Sequence, residues 1–236
     1  MKQQSACNKE YLEKLLQDYT PRGLTETLVG LFWSLYNHFG PQGWWPGETP
    51  FEIAIGAILT QNTNWTNVEK AIDNLKEHGL LNPRAMLELP DEKLAQLIRP
   101  AGYYNIKTTR LKHFLRFLYD FYNGNIESMK DGETYILREQ LLAIHGIGPE
   151  TADSILLYSL NKPIFVVDAY TIRILSRHDI LDSQTANYQH VQDIFMDNLP
   201  RDPCLYNEFH ALFVRLGKEF CKKGKPQCSK CPIKDI

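Results

Sequence analysis

The stretch from 141 to 173, LLAIHGIGPETADSILLYSLNKPIFVVDAYTIR, constrains this chain more than any other and reads as helix, tight hairpin, helix, loop, helix. Leu141 and Leu142 close an apolar helix. Ile144-His145-Gly146-Ile147-Gly148 then sets glycines two apart, which allows positive φ and close approach of another backbone. Pro149 suits the first position of a new helix, where its missing N–H costs nothing, and Ala152, Ile155, Leu156 and Leu157 give that helix an apolar face. Such a hairpin presents amides rather than side chains. Free N–H groups at the positive end of a helix dipole make a phosphate site that needs no lysine, with Gly146, Gly148 and Thr151 as its candidates. An ordinary αα-hairpin with a glycine turn carries the same pattern, so the next residues must decide. After Leu160 the run Pro163-Ile164-Phe165-Val166-Val167 is apolar and extended, and it ends in Asp168 at the start of another helical pattern (Ile172, Ile174, Leu175). Taken alone, Asp168 fits a helix N-cap.

Composition adds bounds. With 236 residues the chain can bury a substantial core in one domain or two modest ones. No apolar run is long enough to span a membrane and MKQQSACNKE lacks the apolar core of a signal peptide, so an intracellular protein, in cytoplasm or nucleoid, is expected. A net charge of −2 and a pI near 6.4 argue weakly against a nucleic-acid binder. Local bias points the other way: Arg99, Lys107, Arg110, Lys112 and Arg116 share a stretch without an acid, and from Arg201 onward eight basic residues face four acidic ones. Each run fits a basic DNA-facing surface or a solvated helix face. Of the five cysteines (Cys7, Cys204, Cys221, Cys228, Cys231), three fall within eleven residues. An intracellular chain makes disulfides unexpected, so the cluster asks for a metal or iron–sulfur reading.

The pattern is almost wholly helical, with strand support only at Ile164 to Val167. Leu24 to Phe39 carries Leu24, Leu28, Leu31 and Leu35 on one face and stops at Gly40. A loop with Trp44, Trp45 and Pro46 follows, too apolar for a plain linker. Thr49-Pro50-Phe51-Glu52 looks like a capping box opening a helix that is apolar nearly all round, hence central and buried. It ends at Thr60-Gln61-Asn62-Thr63-Asn64-Trp65, before a helix from about 66 to 76; Asn82-Pro83 and Pro90-Asp91 start two shorter ones. Asn105 to Tyr122 reads as a longer, basic and aromatic helix, and helices are expected near 187 to 198 and 204 to 221. The fold class is all-α in two helical lobes: residues 42–160 ending in the hairpin motif, and residues 1–41 with 161–236.

The hairpin followed by a Val-Asp step resembles the helix-hairpin-helix DNA glycosylase superfamily, the endonuclease III fold, over roughly residues 25 to 236. Trp44-Trp45-Pro46, Leu59-Thr60-Gln61-Asn62-Thr63 and Arg99-Pro100-Ala101-Gly102-Tyr103-Tyr104-Asn105 look like its 3-methyladenine glycosylase branch. The resemblance implies a cleft between the lobes with Asp168, the catalytic carboxylate, at its edge. It implies a monomer acting on double-stranded DNA with a damaged base, which is flipped out before its N-glycosidic bond is cut through an oxocarbenium-like transition state. It further implies a base pocket with Trp45, Pro46, Trp65 and Lys218, and Gln61 filling the gap left in the duplex. Stacking suits a cationic alkylated purine, which leaves readily without a general acid, although an ammonium at Lys218 would repel it unless neutralised, paired or turned to the rim. Where strand-nicking relatives place a lysine before Thr-Ala, this chain has Glu150, and a carboxylate cannot form an imine; AP-lyase activity is not expected.

Cys221, Cys228 and Cys231 match the first three ligands of the superfamily's [4Fe-4S] loop, and the fourth would fall at position 237, one past the residues given. A truncated chain, Cys204 or another group as fourth ligand, no cluster at all, or zinc held by the three cysteines with His210 all stay open here, and a structural [4Fe-4S] cluster is the reading favoured. Other substrates (uracil, mismatched thymine or oxidised bases) and a catalytically silent DNA-binding module are the alternatives to alkylpurine release.

Overall fold

In a computed structural model that describes residues 7–17, 19, 23–182, 184 and 186–236, the described residues form helices and loops and no strand, as the sequence pattern predicts. The helices are α1 (Lys9–Gln17), α2 (Leu24–Phe39), α3 (Pro50–Leu59), α4 (Trp65–Glu77), α5 (Pro83–Glu88), α6 (Asp91–Leu97), α7 (Tyr104–Tyr122), α8 (Thr134–Leu142), α9 (Pro149–Ser154), α10 (Ala169–Arg177), α11 (Tyr188–Met196) and α12 (Pro203–Glu219). Their starts follow local chemistry: Thr49, Asn64, Asn82, Asp168, Asn187 and Asp202 each cap with a side-chain oxygen that accepts a backbone N–H of the first turn. Two details differ from the sequence reading. Trp65 opens α4 instead of preceding it, because Asn64 takes the Asn67 N–H at 3.1 Å. Glu52 does not close a capping box onto Thr49; its carboxylate accepts the Glu48 N–H at 3.2 Å and pairs with Lys76 at 2.9 Å. None of the helices is long and apolar enough to cross a membrane among the described residues.

The chain divides into two compact units, Trp45–Lys162 and Met1–Trp44 with Pro163–Ile236. In the first, α3 is the buried centre, with Ala54, Ile55, Ile58 and Leu59 fully covered. Helix ends around it leave carbonyls that α-helical hydrogen bonds cannot reach, and lysines fill that need. Lys107 donates to Leu59 O and Ala101 O, both at 2.7 Å; Lys112 to Leu87 O at 2.8 Å and Leu89 O at 2.5 Å; Lys162 to Lys130 O at 2.6 Å and Gly132 O at 2.7 Å. Burial, with Arg110 nearby, pushes Lys107 down to about 8. The basic run from Arg99 to Arg116 is therefore neither a DNA-facing stripe nor a solvated face throughout: Lys107 and Lys112 are internal, which leaves Arg99, Arg110 and Arg116.

The helix-hairpin-helix element is α8, the 143–148 turn and α9. A bidentate ion pair clamps its two helices, Arg138 Nε to Asp153 Oδ1 at 2.7 Å and Nη2 to Oδ2 at 3.1 Å, with Asp153 fully buried. Losing one partner of such a pair costs about 3–5 kcal/mol, because the other is left buried and charged. Past Ser154 the helix widens into one π turn, Ile155–Ser159, where the Ser159 hydroxyl reaches Pro50 O at 2.6 Å and ties the hairpin helix to α3.

In the second unit α12 is the hub on which α2 and α10 pack. Phe165 stacks on Phe195 with ring centroids 3.7 Å apart, and Phe209 and Phe213 meet Phe195 edge-on at 5.5 and 5.9 Å. Ile164 to Val167, the one stretch expected to have strand character, is buried but pairs with no strand; the Gln192 amide donates to Phe165 O at 2.6 Å and the Val167 N–H to the Tyr188 hydroxyl at 3.3 Å instead. The expectation of reduced cysteines also fails: Cys7 and Cys204 form a disulfide that fastens the start of α1 to the first turn of α12.

Candidate functional site

Asp168 does two jobs at once. As the N-cap of α10 its Oδ1 accepts the Thr171 N–H at 2.8 Å and the Thr171 hydroxyl at 3.0 Å, which fixes its rotamer. Its Oδ2 stands 3.5 Å from His210 Nε2 on α12, and both side chains are largely buried. Burial opposes the charge, but the His210 ring and the two Thr171 donors outweigh it, and the carboxyl is held below its ordinary value. A carboxylate kept ionised in a poorly hydrated place is suited to stabilising a developing cation or orienting water. His210 is thus the neighbour of Asp168 and does not line the cavity of the cysteine cluster, which removes the zinc alternative built on it. A Cβ on Gly217 would lie 2.1 Å from Tyr170 Cδ1, so the missing side chain lets α10 close on α12, and Arg173 Nε reaches Cys221 O at 2.8 Å further along.

The tryptophan loop is held at both of its parts. Glu208, buried on α12, accepts the Gln42 N–H at 2.6 Å and also the Gly43 N–H, and burial pushes its carboxyl up. Trp44 lies next to it in the chain, with Lys218 Nζ 5.6 Å from its ring centroid as a cation–π pair; Lys218 itself is exposed. In the other unit Trp45 meets Trp65 edge-on at 5.1 Å and Tyr158 nearly face-on at 4.9 Å with a 30° tilt. A Cβ on Gly56 would sit 3.5 Å from both indoles, in ordinary van der Waals contact, which places the central helix directly against this aromatic cluster. Trp45 and Trp65 are half-buried and Pro46 is exposed beside them. Tyr158 and Glu208 carry no sequence signal apart from their places in apolar helices.

At the hairpin Gly146 adopts φ +95°, the conformation that favours glycine, whereas Gly148 has φ −95° and open space at its Cβ. Only the first of the two glycines is required by the backbone, a correction to the paired reading. Glu150 lies exposed in the first turn of α9. Gln61 sits just past the end of α3 and binds the hairpin: its Nε2 donates to Gly146 O at 3.1 Å and to Thr151 Oγ1 at 2.9 Å, and its Oε1 accepts from Arg110 Nη1. Tyr103, just before α7, is 66 % exposed with φ 48°, an aromatic side chain on a strained backbone.

Cys221, Cys228 and Cys231 line one cavity of about 450 Å³ with Arg177, His178 and Lys234. Arg177 Nη1 donates to Cys221 Sγ at 3.2 Å, and burial, with Cys221 and Cys228 nearby, pushes the Cys231 thiol up. Among the described residues no three His, Cys, Asp or Glu groups converge as they do around a single ion. Three thiols on one cavity are a donor set of the kind that iron–sulfur clusters use. Cys204 is taken by the disulfide and is excluded as a fourth ligand.

An amide-bearing hairpin between clamped helices, followed by a buried carboxylate that caps the next helix, defines the class of helix-hairpin-helix base-excision proteins. The model of the HhH-GPD superfamily of base excision DNA repair proteins matches residues 55–201, and the chain belongs to that superfamily as a DNA glycosylase of base-excision repair. It is 49% identical over 213 residues, 89% of this chain and 96% of the relative, to a Methanocaldococcus jannaschii protein provisionally named a DNA repair glycosylase. Helicobacter pylori 3-methyladenine DNA glycosylase (MagIII), solved with 1,N6-ethenoadenine, is similar at 30% identity and TM-score 0.72, covering 84% of this chain and 98% of its own. A trapped endonuclease III–DNA covalent intermediate shares the fold at TM-score 0.76 and 23% identity, covering 88% and 92%.

Proposed function

We propose that this glycosylase releases alkylated purines of the 3-methyladenine class from double-stranded DNA, as a monofunctional enzyme. The observation that carries the reading is the half-buried aromatic cluster of Trp45, Trp65 and Tyr158 around Gly56, which offers π faces to a flat cationic base. The likeness to MagIII supports it. A positively charged base is already a good leaving group, so stacking and one carboxylate suffice. Asp168 stabilises the sugar cation and orients water; its low pKa keeps it ionised at neutral pH. Gly146, Gly148 and Thr151 take the backbone phosphate through amides and a hydroxyl, Gln61 fills the gap left by the base, Pro46 borders the aromatic cluster, and Lys218 acts at the Trp44 ring. Glu150 leaves no amine at the lyase position. A [4Fe-4S] cluster on Cys221, Cys228 and Cys231 would supply cross-linking of the C-terminal loop and no redox step in base release.

Free-base release from duplexes carrying 3-methyladenine, uracil or an oxidised base tests the substrate. Efficient release of methylated purine and little of the others is expected, with no covalent adduct trapped by borohydride. Preference for uracil, thymine mismatches or oxidised bases would replace the alkylpurine reading with an endonuclease III-like one, and efficient trapping would show that another amine supplies a lyase step. Tight DNA binding without release of any base would leave only a binding module.

A further inference from the structure

All three polar functions of the Gln61 amide are engaged in the free protein. Both N–H donors are used within the hairpin element, on Gly146 O and Thr151 Oγ1, and the carbonyl oxygen is held by Arg110. Arg110 lies directly over the hairpin glycine: a Cβ on Gly146 would stand 2.4 Å from Arg110 Cγ and 2.9 Å from its Nε. Gly146 therefore serves the turn by its φ of +95° and also clears the seat of this arginine. Among the described residues no carboxylate stands within 4.0 Å of Arg110, so its charge is uncompensated beside amides that suit a phosphate.

We propose that Arg110 is a positioning residue that docks Gln61 on the hairpin in the free protein, and that a DNA phosphate arriving at the hairpin takes Arg110 and so releases Gln61 toward the duplex. The inference rests on the gap-filling reading of Gln61. Its physical basis is competition for one guanidinium. A neutral amide oxygen is a weaker acceptor than a phosphate, which Arg binds through two parallel charge-assisted bonds. Once Arg110 turns to phosphate, Gln61 loses the partner of its carbonyl and keeps only its two N–H bonds, to Gly146 O and Thr151 Oγ1. Gap filling is in this way coupled to hairpin docking, so Gln61 leaves its seat only on bound DNA.

The test is a double-mutant cycle on the full chain with Gln61→Ala, Arg110→Met and both, read as affinity for a duplex with a tetrahydrofuran abasic analogue at several salt concentrations, with thermal unfolding as the check on folding. If the Gln61–Arg110 bond exists only in the free protein, wild-type binding must break it. Arg110→Met then weakens binding less when Gln61 is present than in the Gln61→Ala background, by roughly five- to tenfold. The salt slope falls by about 0.9 in both backgrounds, because one phosphate is no longer neutralised. Arg110→Lys, which keeps the charge without the fork, retains most of the salt slope and loses the background dependence. Equal losses in the two backgrounds, or a larger loss with Gln61 present, overturn the release step; an unchanged salt slope overturns the bond to phosphate. In the Arg110→Met background, where no Gln61–Arg110 bond has to be broken, unchanged affinity for the abasic duplex on Gln61→Ala sinks the gap-filling reading itself, and the inference with it.

Discussion

Asp168 combines an observed structural role, the cap of α10, with the chemical role proposed for it. Its capping bonds to Thr171 survive replacement by asparagine, which is as good an N-cap, while the charge does not. Asp168→Asn should therefore fold and bind damaged duplex, with base release lowered at least about a hundredfold, a usual scale for losing a key electrostatic group. Activity within about tenfold of wild type would remove Asp168 from the chemistry. The same substitution has a pH signature. A carboxyl whose folded pKa lies below its unfolded value of about 3.9 contributes stability that is present above that value and lost as pH falls through the folded one. Denaturant titrations should find the variant less stable than wild type at neutral pH, with the difference shrinking below about pH 4. The sequence showed Asp168 as an N-cap candidate, and the resemblance made it the catalytic one; its His210 neighbour is brought in by tertiary packing across forty-two positions.

The hairpin is legible as an element because a glycine-rich turn between a closing apolar helix and a proline start has few other solutions. The weight on its two glycines was not legible, since φ is set by the whole turn and by what packs over it. Gly146→Ala should strain a backbone at φ +95° and collide with Arg110, lowering stability by about 1–3 kcal/mol and weakening binding to damaged and undamaged duplex alike. Gly148→Ala, with φ −95° and open space, should leave the melting temperature nearly unchanged. Equal destabilisation by the two, measured by thermal unfolding, would contradict this account. The α7 helix teaches the converse. Its basic pattern reads from sequence as a surface, and the orphan carbonyls that draw Lys107 and Lys112 inward belong to other helices.

At the scale of the whole chain, the Cys7–Cys204 bond joins residues 197 positions apart. Constraining so long a loop in the unfolded state is worth about 2–4 kcal/mol by the usual range. Dithiothreitol should accordingly lower the unfolding temperature of wild type and leave Cys204→Ser, already lowered, unmoved; an equal response of both would show that the bond does not contribute. A second link beside it is pH-sensitive. Tyr11 donates to Asp202 at 2.6 Å, and that bond, with burial, pushes the phenol up to about 12. A raised folded pKa means the contribution is complete below the unfolded value of about 10 and is lost as pH rises through 12, so α1 of the reduced protein should loosen across that interval.

By itself the sequence determined the all-helical class, the central helix, the hairpin and the chemical types available at each site, because caps, turn glycines and apolar periodicity are local in the chain. The aromatic cluster around Gly56, the imidazole beside Asp168, the arginine over Gly146, the internal lysines and the disulfide were decided only by tertiary structure. Each of these joins groups far apart in sequence, and a buried polar atom takes whichever partner the packing brings within about 3 Å, a choice no local pattern encodes.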